Sequence, residues 1–171
     1  MRNYDPHKNK VYEIEENVYR ELFNEPMSDV FDEYEVEQFI RYIKSSSYFS
    51  QAGGCQSLSF SISNDGRRTA NFYRHGNAHI TLVPWGMNPM IICHEIAHHL
   101  TRQIAPDLPA HGTTFMSIYI NVCFVASVSL GLTMLTEAKA AEFPLREDLN
   151  NANEIINQTL TRKEQFIHEY I

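Results

Sequence analysis

Apolar residues in this chain recur first at helical spacing, then alternate with polar ones, then return to helical spacing. Val11, Ile14, Val18, Leu22 and Phe23 share one helical face, so residues 8 to 24 are predicted to form an amphipathic helix. Asp32-Glu33-Tyr34-Glu35 reads as a capping box opening a second helix through Val36, Phe39, Ile40 and Ile43. Ser45-Ser46-Ser47 and Gly53-Gly54 mark a loop and do not suggest a domain boundary. Leu58, Phe60 and Ile62 then alternate with serines, the pattern of a half-buried strand. Asn64-Asp65-Gly66 signals a turn, residues 69 to 73 return as a partner strand, and His75-Gly76-Asn77 turns into residues 78 to 83 before Pro84. The expectation is a small three-stranded antiparallel meander.

Helical character resumes after Trp85, a residue type that more often fills a core than presents a platform to ligand. Residues 90 to 102 contain no glycine or proline and carry apolar bulk at Met90, Ile91, Cys93, Ile96, Ala97 and Leu100. Pro106 and Pro109 stop this helix and turn the chain, and His111-Gly112-Thr113-Thr114-Phe115 reads as entry to the next one. Residues 112 to 136 carry no charge, a run long enough on paper to span a bilayer. Thr113, Ser117, Asn121, Ser127 and Ser129 make it more polar than strong membrane helices, which argues against membrane association. A buried core helix ending near Gly131 is expected instead. Residues 137 to 143 are predicted as a short helix stopped by Pro144. Residues 146 to 170 are predicted as a final amphipathic helix through Leu149, Ile155, Ile156, Leu160, Phe166 and Ile167. The class is therefore α+β.

Size and charge narrow the picture. A chain of 171 residues suits one domain, residues 1 to 171, with a real core. Fourteen Lys and Arg against 21 Asp and Glu leave a net charge of −7, which argues against a general nucleic-acid surface. The Arg67-Arg68 pair sits in a turn, where solvent accounts for it. Cys55, Cys93 and Cys123 are scattered without a CxxC pair, which fits a reducing compartment better than a disulfide scaffold. Residues 1 to 10 are polar and lack the apolar core of a signal peptide, so a cytoplasmic setting is expected.

The chemistry lies in His94-Glu95-Ile96-Ala97-His98. Two histidines four positions apart project from one helical face, close enough for both imidazoles to reach one ion. The glutamate between them falls beside the open coordination position, where it can take a proton from water. His99 is turned about 100° from His98 and is expected either to support the ligands from behind or to be structural. Arg102 suits the negative end of the helix. A catalytic zinc site needs a third protein ligand. Ile104 stands where the extended motif HExxHxxGxxH would place its last histidine. His111, at the corner after the helix, is the leading candidate, with Glu137, Glu142 and Asp107 as alternatives.

HEIAHHL followed by PAHGTTF resembles the SprT-like zinc metallopeptidases and a related group of small, often phage-associated metallohydrolases. In these, HExxH is followed after a short proline-containing turn by an HG pair whose histidine completes the zinc site. The resemblance covers roughly residues 56 to 125. It implies a zincin-like fold, Zn2+ as cofactor, His94, His98 and His111 as ligands, and Glu95 as general base. It further implies hydrolysis of a polypeptide substrate. Non-peptide hydrolysis, or a zinc-stabilised binding protein on a protease-like fold, are the alternatives. Neither the zinc ribbon nor the basic region of the DNA-associated members occurs here, so their DNA-linked function does not carry over. An edge strand above the cleft would pair with extended substrate, and residues 78 to 83 are the expected strand. Tyr119, His79, His75 and Arg102 are candidate donors to an oxyanion. The sequence ranks none of them, and it is silent on oligomeric state.

Overall fold

The computed structural model describes residues 5–23, 31–63, 71–146 and 152–161. Within them the architecture is α+β, with seven helices and one small three-stranded mixed sheet. The expected turn at residues 64 to 66, the Arg67-Arg68 pair, and Leu149, Phe166 and Ile167 lie outside the described residues.

The first helix, α1 (Lys8–Phe23), buries Val11, Ile14 and Val18 completely. α2 (Glu33–Lys44) starts with the predicted capping box. The Asp32 carboxylate accepts from the Glu35 N–H at 2.8 Å, and the Glu35 carboxylate accepts from the Asp32 N–H at 2.7 Å. Val36, Phe39, Ile40 and Ile43 form its buried face. The serine run does more than form a loop. Ser46 caps a short helix, α3 (Ser47–Gln51), by accepting from the Phe49 N–H at 3.1 Å.

The sheet corrects the expected meander. Its strands are β1 (Ser59–Ile62), β2 (Phe72–Arg74) and β3 (His79–Leu82), in the order β1-β3-β2. β3 runs parallel to β1 and antiparallel to β2. Alternation fixes which face of a strand is buried but leaves its neighbours open, so it could not reveal that the last strand sits in the middle. Ile80 and Leu82 are fully buried, as befits a central strand. Because β3 is paired along both edges, it cannot accept an extended substrate, which overturns the role expected for residues 78 to 83.

A short turn at Pro84–Gly86 leads from the sheet to α4 (Pro89–Ile104), which carries the HExxH motif. Asn88 caps α4 by accepting from the Ile91 N–H at 3.0 Å, and Pro89 occupies the first turn, where its missing N–H costs nothing. Trp85 is exposed and not part of the core.

The charge-free run is two helices, α5 (Thr113–Ala126) and α6 (Val128–Ala140), and not one ending near Gly131. Ser127 is extended and makes the corner between them. Gly131 lies inside α6 for a packing reason. A Cβ there would fall 2.3 Å from Phe124 Cδ1 and 2.8 Å from Phe124 Cα. Every residue from 114 to 126 is buried, so α5 is the central rod on which α4, α6, α7 (Ala152–Thr161), α2 and α3 pack. α1 packs on α6. Glu137 belongs to α6, so the separate helix expected at residues 137 to 143 does not form. No described helix is long and apolar enough to cross a membrane.

Candidate metal centre

α4 presents His94 and His98 from successive turns toward the start of α5, where His111 stands at the predicted corner just before Gly112. One ligand nitrogen from each of these three histidines lies within 4.8 Å of the others. Their ring centroids are 4.6 Å (His94–His98), 4.7 Å (His98–His111) and 5.2 Å (His94–His111) apart. Phe115, fully buried on the first turn of α5, lies under all three rings at 4.5 to 5.0 Å. It makes an apolar floor that holds the imidazoles together and keeps water from one side.

Carboxylates fix the outer nitrogens. His94 Nδ1 is 2.6 Å from Glu15 Oε1, and His111 Nδ1 is 2.6 Å from Asp5 Oδ2. An ionised carboxylate can only accept, so each Nδ1 carries a proton and donates it. The inner nitrogens, His94 Nε2 and His111 Nε2, consequently face each other at 3.3 Å. Burial alone would disfavour positive charge on His94, but the Glu15 carboxylate outweighs it and raises the affinity of that ring for a proton. Burial, reinforced by charge on the other two histidines, holds His98 neutral, its pKa well below the usual range. Burial also lowers the pKa of His111, against the pull of Asp5. Three imidazoles whose ring nitrogens converge, His94 and His111 buried and His98 half-buried, two of them backed by carboxylates, form a donor set that fits a divalent transition metal. This cluster can hold a metal ion.

Glu95 is buried, and its Oε2 has no hydrogen-bond partner. Burial pushes its carboxyl up to about 7, opposed by His94 and aided by Glu15. A carboxyl with this proton affinity can both take and return a proton near neutral pH. Tyr12, on α1, stacks on His94 at 6.0 Å and meets His111 edge-on at 5.6 Å. It is 43% exposed and so forms part of the mouth of the site. Burial, together with Glu15, Glu95 and Asp5, keeps its phenol protonated beyond the usual range.

The other candidate ligands lie elsewhere. Glu137 is half-buried on α6, Asp107 and Glu142 are exposed, and none joins the cluster among the described residues. The Tyr119 hydroxyl donates to the Met90 carbonyl at 3.2 Å and is wholly buried. His79 lies within hydrogen-bond distance of Ser59 (2.8 Å) and Ser61 (2.9 Å) in the sheet. His75 is exposed in the β2–β3 turn, and Arg102 donates to the Pro106 carbonyl beyond the helix end. His99 takes the structural one of its two expected roles. Its Nε2 accepts from the Cys55 N–H at 2.9 Å, and its Nδ1 meets the Tyr73 hydroxyl at 2.8 Å.

Asp5, Tyr12, Glu15 and Phe115 escaped the sequence reading. One signal for Glu15 was present: it lies between Ile14 and Val18 on the buried face of an amphipathic helix, where an unpaired charge is costly. Comparison with protein-family models, with curated proteins and with solved structures finds no match in any of the three. Fold and site together define an α+β protein with a three-histidine cluster able to hold a metal ion.

Proposed function

We propose that this chain is a zinc-dependent metallopeptidase of zincin-like design. The observation that carries the reading is the convergence of His94, His98 and His111 beside a buried carboxylate, Glu95, whose Oε2 is unpartnered. The resemblance to SprT-like peptidases supports it through the same HExxH helix, proline turn and HG pair. His94, His98 and His111 would hold the ion. Zinc held there would supply Lewis acidity toward a water and a carbonyl oxygen. Glu95 accepts the proton of the attacking water and hands it to the leaving amine. Tyr12 keeps its phenolic proton and donates to the oxygen that gains charge. Phe115 and the core behind it exclude water from the far side. Three free thiols agree with a reducing, cytoplasmic setting, which is part of the proposal.

One observation favours a second reading, hydrolysis of a smaller electrophile: the strand expected to bind extended polypeptide is the central one and has no free edge. Cleavage assays on a denatured-protein and peptide library, beside a panel of small esters and amides, separate the two. Zinc-loaded wild type is expected to cleave peptide bonds. The Glu95→Gln variant should keep its metal and lose at least about 100-fold in rate. Equal turnover in both proteins would remove Glu95 as base, and bound zinc with no Glu95-dependent turnover would indicate a zinc-stabilised binding protein.

A further inference from the structure

We propose that Glu15 and Asp5 are positioning residues of the metal centre, which makes the N-terminal segment an integral part of it. The inference rests on the reading of His94, His98 and His111 as ligands. Each carboxylate sits 2.6 Å from the outer nitrogen of one ligand. Each contact selects the tautomer that leaves Nε2 unprotonated and turned inward, the form a metal requires.

Burial makes these contacts consequential. The side chains of Glu15 and His94 are 8% and 6% exposed, and those of Asp5 and His111 are 17% and 7% exposed. Glu15 shares a helical face with Val11, Ile14 and Val18, all fully buried, so docking α1 carries a carboxylate into an apolar interface. A hydrophobic residue at that position would pack without this desolvation penalty. Asp5 reaches the same centre from just ahead of α1, and its second oxygen, Oδ1, is buried without a partner.

His98 has no carboxylate in hydrogen-bond contact among the described residues; the two ligands that have one are His94 on α4 and His111 in the turn before α5. The N-terminal segment bridges them. Removing either carboxylate is therefore expected to weaken metal binding while leaving the three ligands in place.

The test uses the full chain as wild type, Glu15→Gln and Asp5→Asn. Three quantities are read for each: zinc affinity by chelator competition, imidazole tautomers by nitrogen NMR of the zinc-loaded protein, and thermal stability of the metal-free protein. Wild type should show protonated Nδ1 on His94 and His111. Each variant should bind zinc about 10- to 100-fold more weakly. Asp5→Asn lies ahead of α1 and keeps the test open if Glu15→Gln folds poorly. Unchanged zinc affinity in both variants, with or without a lower metal-free melting temperature, would overturn the positioning role and leave the three-histidine centre standing. No zinc binding by wild type would instead overturn the centre itself, and this proposal with it.

Discussion

Glu15 and His94 are 79 positions apart in the chain, yet Oε1 of one lies 2.6 Å from Nδ1 of the other. That contact fastens α1 to the HExxH helix and orients the first histidine of the motif. It also brings Tyr12, one turn earlier on α1, over the ring of His94. The mouth of the centre is thus built by a helix with no metal motif of its own.

Tyr12→Phe should lower turnover by roughly 100-fold with little change in zinc affinity, because it removes a hydrogen-bond donor and no ligand. Single-turnover rates and chelator competition on the same preparation check both halves. Turnover equal to wild type would remove Tyr12 as the donor.

The helical motif and the His111 corner were legible because their chemistry is local: ligand spacing, an apolar helix, two prolines and a helix start. The carboxylates behind them were not, since Asp5 and His111 are 106 positions apart and nothing in either neighbourhood announces the pairing. Strand faces were legible and strand order was not, because β3 enters between β1 and β2 through tertiary packing. Gly131 was misleading in a specific way. It reads as a helix breaker, but its role is to admit Phe124, and the break falls at Ser127.

Gly131→Ala should therefore destabilise the protein, although alanine is the better helix former. The new methyl would fall against Phe124 Cδ1 and Cα, and overpacking of this kind costs about 1–3 kcal/mol. Chemical denaturation measures the change. A stabilised variant would show that α5 and α6 are not in this close contact.

His99 should stay neutral well below the usual histidine range. Burial is the main cause, reinforced by positive charge at His75 and Lys44, and its pKa is pushed down to about 4. The unfolded chain takes up this proton near the ordinary value of about 6.5, before the folded protein does. The contribution of neutral His99 to stability is therefore complete above that value and is lost as pH falls toward 4. His99→Ala also leaves the Cys55 N–H without its acceptor, a cost of about 1–3 kcal/mol. Denaturation of the metal-free proteins should show the gap between wild type and variant narrowing from pH 7 to pH 4, and a constant gap would contradict the assignment.

Cys55 should be the reactive thiol. Hydrogen bonds from Ser57 lower its pKa, whereas burial raises that of Cys123 well above the usual range, and Cys93 is buried beside it. Mass-spectrometric mapping after brief alkylation of native protein at neutral pH should find Cys55 labelled and the other two protected. Comparable labelling of Cys93 or Cys123 would show that the α4–α5 interface opens readily.

Metal content decides the central claim most directly. Elemental analysis of tag-free wild type should give about one zinc ion per chain, sharply reduced in His111→Ala and unchanged in Glu137→Ala. Wild type free of zinc after zinc has been supplied and the excess removed, or full zinc in His111→Ala, would contradict the three-histidine centre.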